Sequence, residues 1–400
     1  MTSSPPPHAA RRTAAIALAG FCAFVTLYAP QPLLPTLAGE FHTSVAAISL
    51  LLTASTLGVA IAAAFAGILA DHVGRKQVIV PAAFLLAFPS LLLARAATVN
   101  QLIFWRFWQG IFTPGIAVVA PAYINEEWEV GIGSAMGAYV SGTVLGGFSG
   151  RIVAGFVASR FSWHASFLAL GVIGALGALG VWVWLPAGRR FERASSTGAT
   201  LRAMARHLKN PRLLATYAVG FCVLFSMLAT FTYVNFYLAA PPFLLSPAAL
   251  GLLFVVYLAG AVASPVAGRW IDRVGHRTTL LVSYVGAVGG ILLTLIHSLP
   301  VILIGLALCC SAVFVAQSVS NSYIGTVASE ARAAAVGLYV LFYYVGGSAG
   351  SAIPGYLWNR GGWPACVALI AVVQIITIAI ASTFWKQAPR RQSESLVVSS

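Results

Sequence analysis

Two arginines, Arg106 and Arg151, lie inside long apolar runs of this 400-residue chain. A guanidinium in such surroundings is costly and survives where it bonds carbonyls, meets an anion or takes part in function. Its planar fork of N–H donors is suited to bidentate capture of a carboxylate. At a helical rise of 1.5 Å per residue both arginines fall roughly 8–10 Å below one edge of their runs, and Tyr28 and Gln31 fall at a similar depth. The other buried chemistry is aromatic and amide: Thr232, Tyr233, Asn235 and Tyr237, then Gln317 and Asn321, then Tyr339, Tyr343 and Tyr344. Walls of that kind suit amphipathic organic molecules, although tyrosines near span ends also belong to the interfacial belt, as expected for Tyr237. Each of the nine acids, Glu40, Asp71, Glu126, Glu127, Glu129, Glu192, Asp272, Glu330 and Glu394, falls in a loop, a tail or at a span end.

The elements that must carry these residues are membrane helices. The chain is 59% hydrophobic, with a mean hydropathy of +0.89, and its apolar residues run on instead of marking one face of a soluble helix. A bilayer core needs roughly 20 apolar residues per helix, and about twelve such runs follow one another, from Thr13–Pro35 to Trp363–Phe384. The run at Thr13–Pro35 reads as a first span, since eleven more follow it. With the N-terminus inside, Arg75, Lys76, Arg202, Arg206, Lys209, Arg212, Arg269, Arg273, Arg277 and Arg332 all lie on the inner side, while the outer turns hold little beyond Arg95, Arg160 and Arg360. That bias predicts both termini in the cytoplasm. It also accounts for the net charge of +14 through contact with anionic lipid, leaving no nucleic-acid-binding domain to explain.

No Walker loop, H-E-x-x-H or G-x-S-x-G occurs, and the five cysteines all fall within spans without C-x-x-C spacing. The expectation is a protein that is not an enzyme and that uses no metal or cofactor.

The chain also repeats itself. A shift of 201 residues lays Gly268 to Arg277 over Gly67 to Lys76, matching two glycines, an aspartate and a valine. A shift of 200 lays Gly137, Tyr139, Gly146, Gly147, Gly150, Gly155, Arg160 and Trp163 over Gly337, Tyr339, Gly346, Gly347, Gly350, Gly355, Arg360 and Trp363. Two six-helix bundles of the same orientation follow, residues 1–186 and 213–400, joined by a cytoplasmic linker at 187–212 that holds a short amphipathic helix on the lipid surface from Leu201 to Leu208.

The stretch Gly67-Ile-Leu-Ala-Asp71-His-Val-Gly74-Arg75-Lys76 resembles the loop 2–3 signature of the major facilitator superfamily, and Gly268 to Arg277 resembles its weaker counterpart. Arg106-Phe-Trp-Gln109-Gly110 is similar to a motif common in proton-coupled members. Gly142-x-x-x-Gly146-Gly147-x-x-Gly150 resembles the glycine motif of the bacterial drug:proton antiporters without its Gly-Pro pair. The resemblance implies an all-α membrane fold of twelve transmembrane helices in two pseudo-symmetric bundles, a substrate site between them, and secondary active transport by alternating access. It gives Gly67, Asp71, Gly74, Arg75, Lys76, Asp272, Gly275 and Arg277 a gating role that latches the halves in the outward-open state, with Glu126, Glu127, Glu129 and Glu330 as state-dependent partners. With helices 1, 4 and 5 lining the cavity, Arg106, Gln109, Arg151, Tyr28 and Gln31 form a coupling or substrate cluster, facing Tyr233, Asn235, Gln317, Asn321 and Tyr343. The competing reading has Arg106 bonding helix-1 carbonyls and Arg151 either snorkelling outward or sealing the interface between the halves. Gly142, Gly146, Gly150, Gly346 and Gly350 serve close helix packing, either across the halves, where they would ease rocking, or within one half.

The function expected is proton-coupled efflux of small organic compounds by a monomer in the bacterial inner membrane. The alternative is an organic-anion importer or exchanger with its substrate at Arg106 or Arg151, which gains weight because no acid is embedded in a span to pair with a cation.

Overall fold

The computed structural model describes residues 7–129, 131–186, 188, 197–328 and 331–385. The first bundle contains α1 (Pro7–Val25), α2 (Val45–Val73), α3 (Arg75–Leu93), α4 (Val99–Glu127), α5 (Ile132–Arg160) and α6 (Trp163–Trp184). The second begins with α7 (Pro211–Ala239). A continuous run, Pro247–Leu293, breaks its helical backbone at Gly275 and so supplies two spans, α8 (247–274) and α9 (276–293). After α10 (Leu299–Val327), a second merged run, Arg332–Phe384, breaks at Gly361 and Gly362 into α11 (332–360) and α12 (363–384). Nine of the described helices are long and apolar enough to cross a membrane; with two of them divided and α1 added, all twelve expected spans are present.

Local sequence explains where these helices begin and end. Ser44, Thr98, Ser162 and Ser246 precede helix starts on one side of the bundle, and each hydroxyl accepts a hydrogen bond from the N–H three residues on, at Ala47, Gln101, Ala165 and Ala249. On the opposite side, Gly74 and Gly275 turn the chain between α2 and α3 and between α8 and α9 with φ of 105° and 82°. That left-handed backbone is open to glycine and strained for other residues, which is why the repeat preserves both. We call this the linker end, because the segment between the bundles lies there, and the capped side the far end.

Within each half, small residues let helices touch backbone to backbone. A Cβ on Gly142, Gly146 or Gly150 of α5 would overlap the carbonyls of Ala17, Phe21 and Val25 on α1. A Cβ on Gly346 or Gly350 of α11 would overlap Phe221 and Phe225 on α7, the pseudo-equivalent crossing. Gly58 on α2 and Gly110 on α4 meet in the same way, and Gly260 of α8 packs on Phe314 of α10. These glycines therefore consolidate single halves, and the alternative in which the stripes form the surface between halves is corrected.

The linker helix, Thr197–His207, also departs from expectation. Ala203 is buried, Met204 packs with the α11 face beside Gly337, and a ring nitrogen of His207 bonds the carbonyl of Ala331 at 3.3 Å. An apolar face that was assigned to lipid is thus spent on the start of α11.

Candidate functional site

The site begins with a break in the first span. After α1 stops at Val25, Pro30, Pro32 and Pro35 prevent a regular helix from continuing, and the chain passes through a 3-10 turn, Gln31–Leu33, into a short helix, Leu34–Glu40. Pro30 has no N–H to offer the carbonyl of Thr26. The N–H of Gln31 turns to Tyr28 at 3.1 Å, which leaves the carbonyl of Leu27 free as well. Both oxygens are taken by Arg106: Nη1 donates to Thr26 O at 2.9 Å and Nη2 to Leu27 O. Nη2 also donates to Ser55 Oγ at 2.9 Å, and Nη1 to Gln109 Oε1 at 2.5 Å. Gln109 in turn donates to Ser90 Oγ at 2.7 Å. Arg106 is fully buried within the first half; its two terminal nitrogens are taken by helix-1 carbonyls, a hydroxyl and an amide, and its Nε has no partner among the described residues. It and Gln109 do not reach the cavity between the halves, so the reading that made them substrate ligands is corrected.

Arg151 is placed differently. It is 2% exposed, on α5, where that helix meets the second half. Nε donates to Gln31 Oε1 at 2.7 Å and Nη1 to the carbonyl of Gly147 at 2.6 Å, while Nη2 has no hydrogen-bond partner among the described residues. The guanidinium carbon lies 5.0 Å from the ring centroid of Tyr28, 4.4 Å from that of Phe254 and 4.8 Å from that of Tyr257. The last two rings belong to the second half. Gln31 carries the network across as well, donating to Thr232 Oγ1 at 3.4 Å. The depth match among Tyr28, Gln31 and Arg151 therefore reflects a real cluster, and Arg106 is the member that stands apart.

Arg151 borders a cavity of about 160 Å³ between the two halves. Tyr28, Phe148, Tyr257, Phe314, Tyr343 and Tyr344 supply aromatic wall, and Thr143 and Gln317 supply neutral polar groups. Among the described residues the lining contains one cation, Arg151, and no carboxylate or imidazole. Gln317, Tyr28 and Tyr343 fall where the sequence put them. Asn321, one turn from Gln317, is exposed and outside the lining. Tyr233 donates to the Ser351 carbonyl at 2.7 Å, and Asn235 donates to the Phe231 carbonyl at 2.5 Å; both are buried away from the cavity, so their assignment as substrate contacts is corrected. Phe254 and Tyr257 were missed. A cation on a facing helix is the signal that would have found them, and it needs the pairing of α5 with α8 to be read.

Two seams join the halves toward the far end. In one, α2 meets α11 through Thr53 Oγ1 and Ser351 Oγ at 3.0 Å and Thr56 Oγ1 and Ser348 Oγ at 2.9 Å. In the other, α5 meets α8 at Arg151, and Ser159 Oγ accepts from the N–H of Ala248 at 2.9 Å. Gly155 and Gly355, which the repeat aligns, allow these approaches: a Cβ on the first would overlap Pro247, and on the second Ala46.

At the linker end the charged turn is paired within its own half. Arg75 bridges Asp71 at 2.6 Å and Glu126 at 2.6 Å, with Lys76 half-buried beside it. Arg12 contacts the Glu127 carboxylate at 4.0 Å and stacks over Trp128 at 4.3 Å. In the second copy Asp272 is exposed, His276 bonds Ser322 at 2.9 Å, and Arg277 is half-buried. A Cβ on Gly67 or Gly268 would meet nothing within 4 Å, so neither of these two glycines is in close contact with a neighbour in this state. Glu330, the expected partner in the second half, lies outside the described residues.

Two parallel six-helix bundles, joined at one end and holding a cavity between them, are the architecture of a membrane transporter. Family comparison agrees: the Major Facilitator Superfamily model matches residues 16–242 and 227–398, and the chain belongs to that family. It is 34% identical over 376 residues to the inner membrane transport protein YnfM of Escherichia coli (strain K12), covering 94% of this chain and 90% of that one. It is 33% identical over 370 residues to the MFS-type transporter YybF of Bacillus subtilis (strain 168), covering 92% and 91%. Among solved structures, a bacterial homolog of the human lysosomal transporter Spinster, described as inward-facing and unoccupied, superposes with a TM-score of 0.78 at 14% identity over 94% of this chain and 97% of that one.

Proposed function

We propose that this transporter carries small organic anions with an aromatic or apolar body, and that Arg151 is the group that receives the negative charge. The observation that carries the reading is a buried guanidinium whose Nη2 has no partner among the described residues, bordering an aromatic cavity whose described lining supplies no counter-charge. Of the five N–H donors of an arginine, Gln31 and Gly147 occupy one each, so the end of the fork can still grip a carboxylate or sulfonate. An uncompensated buried cation is expensive, and an arriving monoanion relieves that cost. A cationic substrate would meet Arg151 with no acid beside it. On the reading that the linker end is cytoplasmic, which the charge bias supports, the far-end seams close the outside and this is the inward-open state. Proton coupling, which the resemblance implies, then rests on the substrate's own acid group or on residues outside the cavity lining.

Purified protein in liposomes tests this. Counterflow of labelled benzenesulfonate, phenyltrimethylammonium and phenyl glucoside is compared, with a trapped pH dye reporting accompanying protons. Counterflow of the sulfonate is expected, weakened about 30-fold or more in apparent affinity by Arg151→Gln. Counterflow of the cation, or sulfonate counterflow indifferent to Arg151→Gln, would overturn the assignment.

A further inference from the structure

The two far-end seams occupy equivalent places in the repeat and are built from different chemistry. A shift of 201 residues lays Thr53 on Phe254 and Thr56 on Tyr257, and a shift of 200 lays Arg151 on Ser351. One seam therefore holds hydroxyls in the places where the other holds a cation between two rings. The hydroxyl pairs, at 2.9 and 3.0 Å, are neutral and have nothing in them that responds to a substrate's charge. The α5–α8 seam depends on a net positive charge, because a ring face attracts a guanidinium through that charge.

Resting on the anion reading above, we propose that Phe254 and Tyr257 are positioning residues that hold Arg151 across the seam until a substrate anion reaches it. A carboxylate or sulfonate that pairs with the guanidinium in its own plane cancels the charge that the two rings attract. It does so without displacing Gln31 or Gly147, whose bonds use other N–H groups. The rings and the anion thus compete for one charge. An anion then binds the open-seam state better than the closed one, which is the differential affinity that a ligand needs in order to shift a conformational equilibrium. The hydroxyl seam opens along with it as a passive partner. Tyr28 also lies against Arg151 but belongs to the same half, so it follows the arginine and does not restrain it.

The experiment places nitroxide labels at Arg160→Cys and Leu244→Cys, both exposed positions beside the α5–α8 seam, in protein reconstituted in nanodiscs. The five native cysteines are buried and are spared by brief labelling. Distances are read by pulsed electron resonance with and without benzenesulfonate, and binding is measured separately by calorimetry. In the otherwise native protein, benzenesulfonate raises the long-distance population. With Phe254→Leu and Tyr257→Leu together, the ratio of open to closed seam rises about five- to thirtyfold without any anion, and the response to benzenesulfonate is lost. Phe254→Tyr with Tyr257→Phe keeps both ring faces and keeps the response. Should the leucine pair not fold, Tyr257→Leu alone gives a smaller shift in the same direction. Thr53→Val with Ser351→Ala changes the resting ratio and leaves the response to anion intact. Calorimetric binding with no change in distance would overturn this inference and leave the anion assignment standing. Absence of binding would overturn both.

Discussion

Replacing Arg106 by alanine strands the carbonyls of Thr26 and Leu27 and removes partners from Ser55 and Gln109. A buried polar group left without its partner costs about 1–3 kcal/mol. Two carbonyls and one amide, offset by the relief of removing a buried charge, give an expected loss of about 2–5 kcal/mol. Arg106→Lys should lose less, about 1–3 kcal/mol, because an ammonium can reach one carbonyl but cannot span two. The explanation for the arginine lies in Pro30, so the decisive variant is a second substitution there. Pro30→Ala restores an N–H four residues after Thr26, and in the Arg106→Ala background it should recover about 1 kcal/mol. In the presence of Arg106 the same change brings a competitor for an oxygen already occupied, and should be neutral or harmful. Denaturant titration of the four proteins in lipid micelles yields the coupling energy of the cycle. Additive effects, or an Arg106→Ala protein within about 0.5 kcal/mol of the parent, would refute the claim that the arginine serves the helix-1 break.

Two further outcomes follow from the packing. Gly150→Ala and Gly350→Ala drive a methyl group into Val25 and Phe225 and should each cost about 1–3 kcal/mol by thermal unfolding, whereas Gly67→Ala should melt like the parent. If Gly67→Ala also transports at the parental rate, the α2 linker end does not close against a neighbour in the opposite state. Asp71→Asn removes one partner of Arg75 and leaves Glu126 in place, so stability should change by less than about 1 kcal/mol while transport slows; an unchanged rate would sink the gating role of the turn.

The fold was readable because its signals are local or repeated. Span length, the positive φ at Gly74 and Gly275, and the hydroxyl caps each depend on a few neighbouring residues. The site was readable only in part. Depth along a helix is fixed by counting residues, and it put Tyr28, Gln31 and Arg151 together correctly. Direction around the helix is not fixed in the same way. Arg106 has the same depth yet points into its own half, because the Thr26 carbonyl that receives it was freed by Pro30, a residue 76 positions away. The glycine stripes posed the same difficulty: Gly142, Gly146 and Gly150 advertise close approach without naming the helix approached. Phe254 and Tyr257 look like ordinary apolar span residues until α8 is laid beside α5.

The proline-broken first helix bears on how the protein is made. An arginine inside a span disfavours its insertion, by up to about 2.5–3.5 kcal/mol where it sits at the centre, and α4 and α5, the two spans with buried arginines, are the least apolar of the nine candidate membrane helices. The oxygens of Thr26 and Leu27 that receive Arg106 precede it in the chain, as does Gln31, which receives Arg151. When each charged helix leaves the ribosome, its partner is already in the membrane. The order of synthesis thus lets the first half offer hydrogen-bond partners to both charged helices before any of the second half exists.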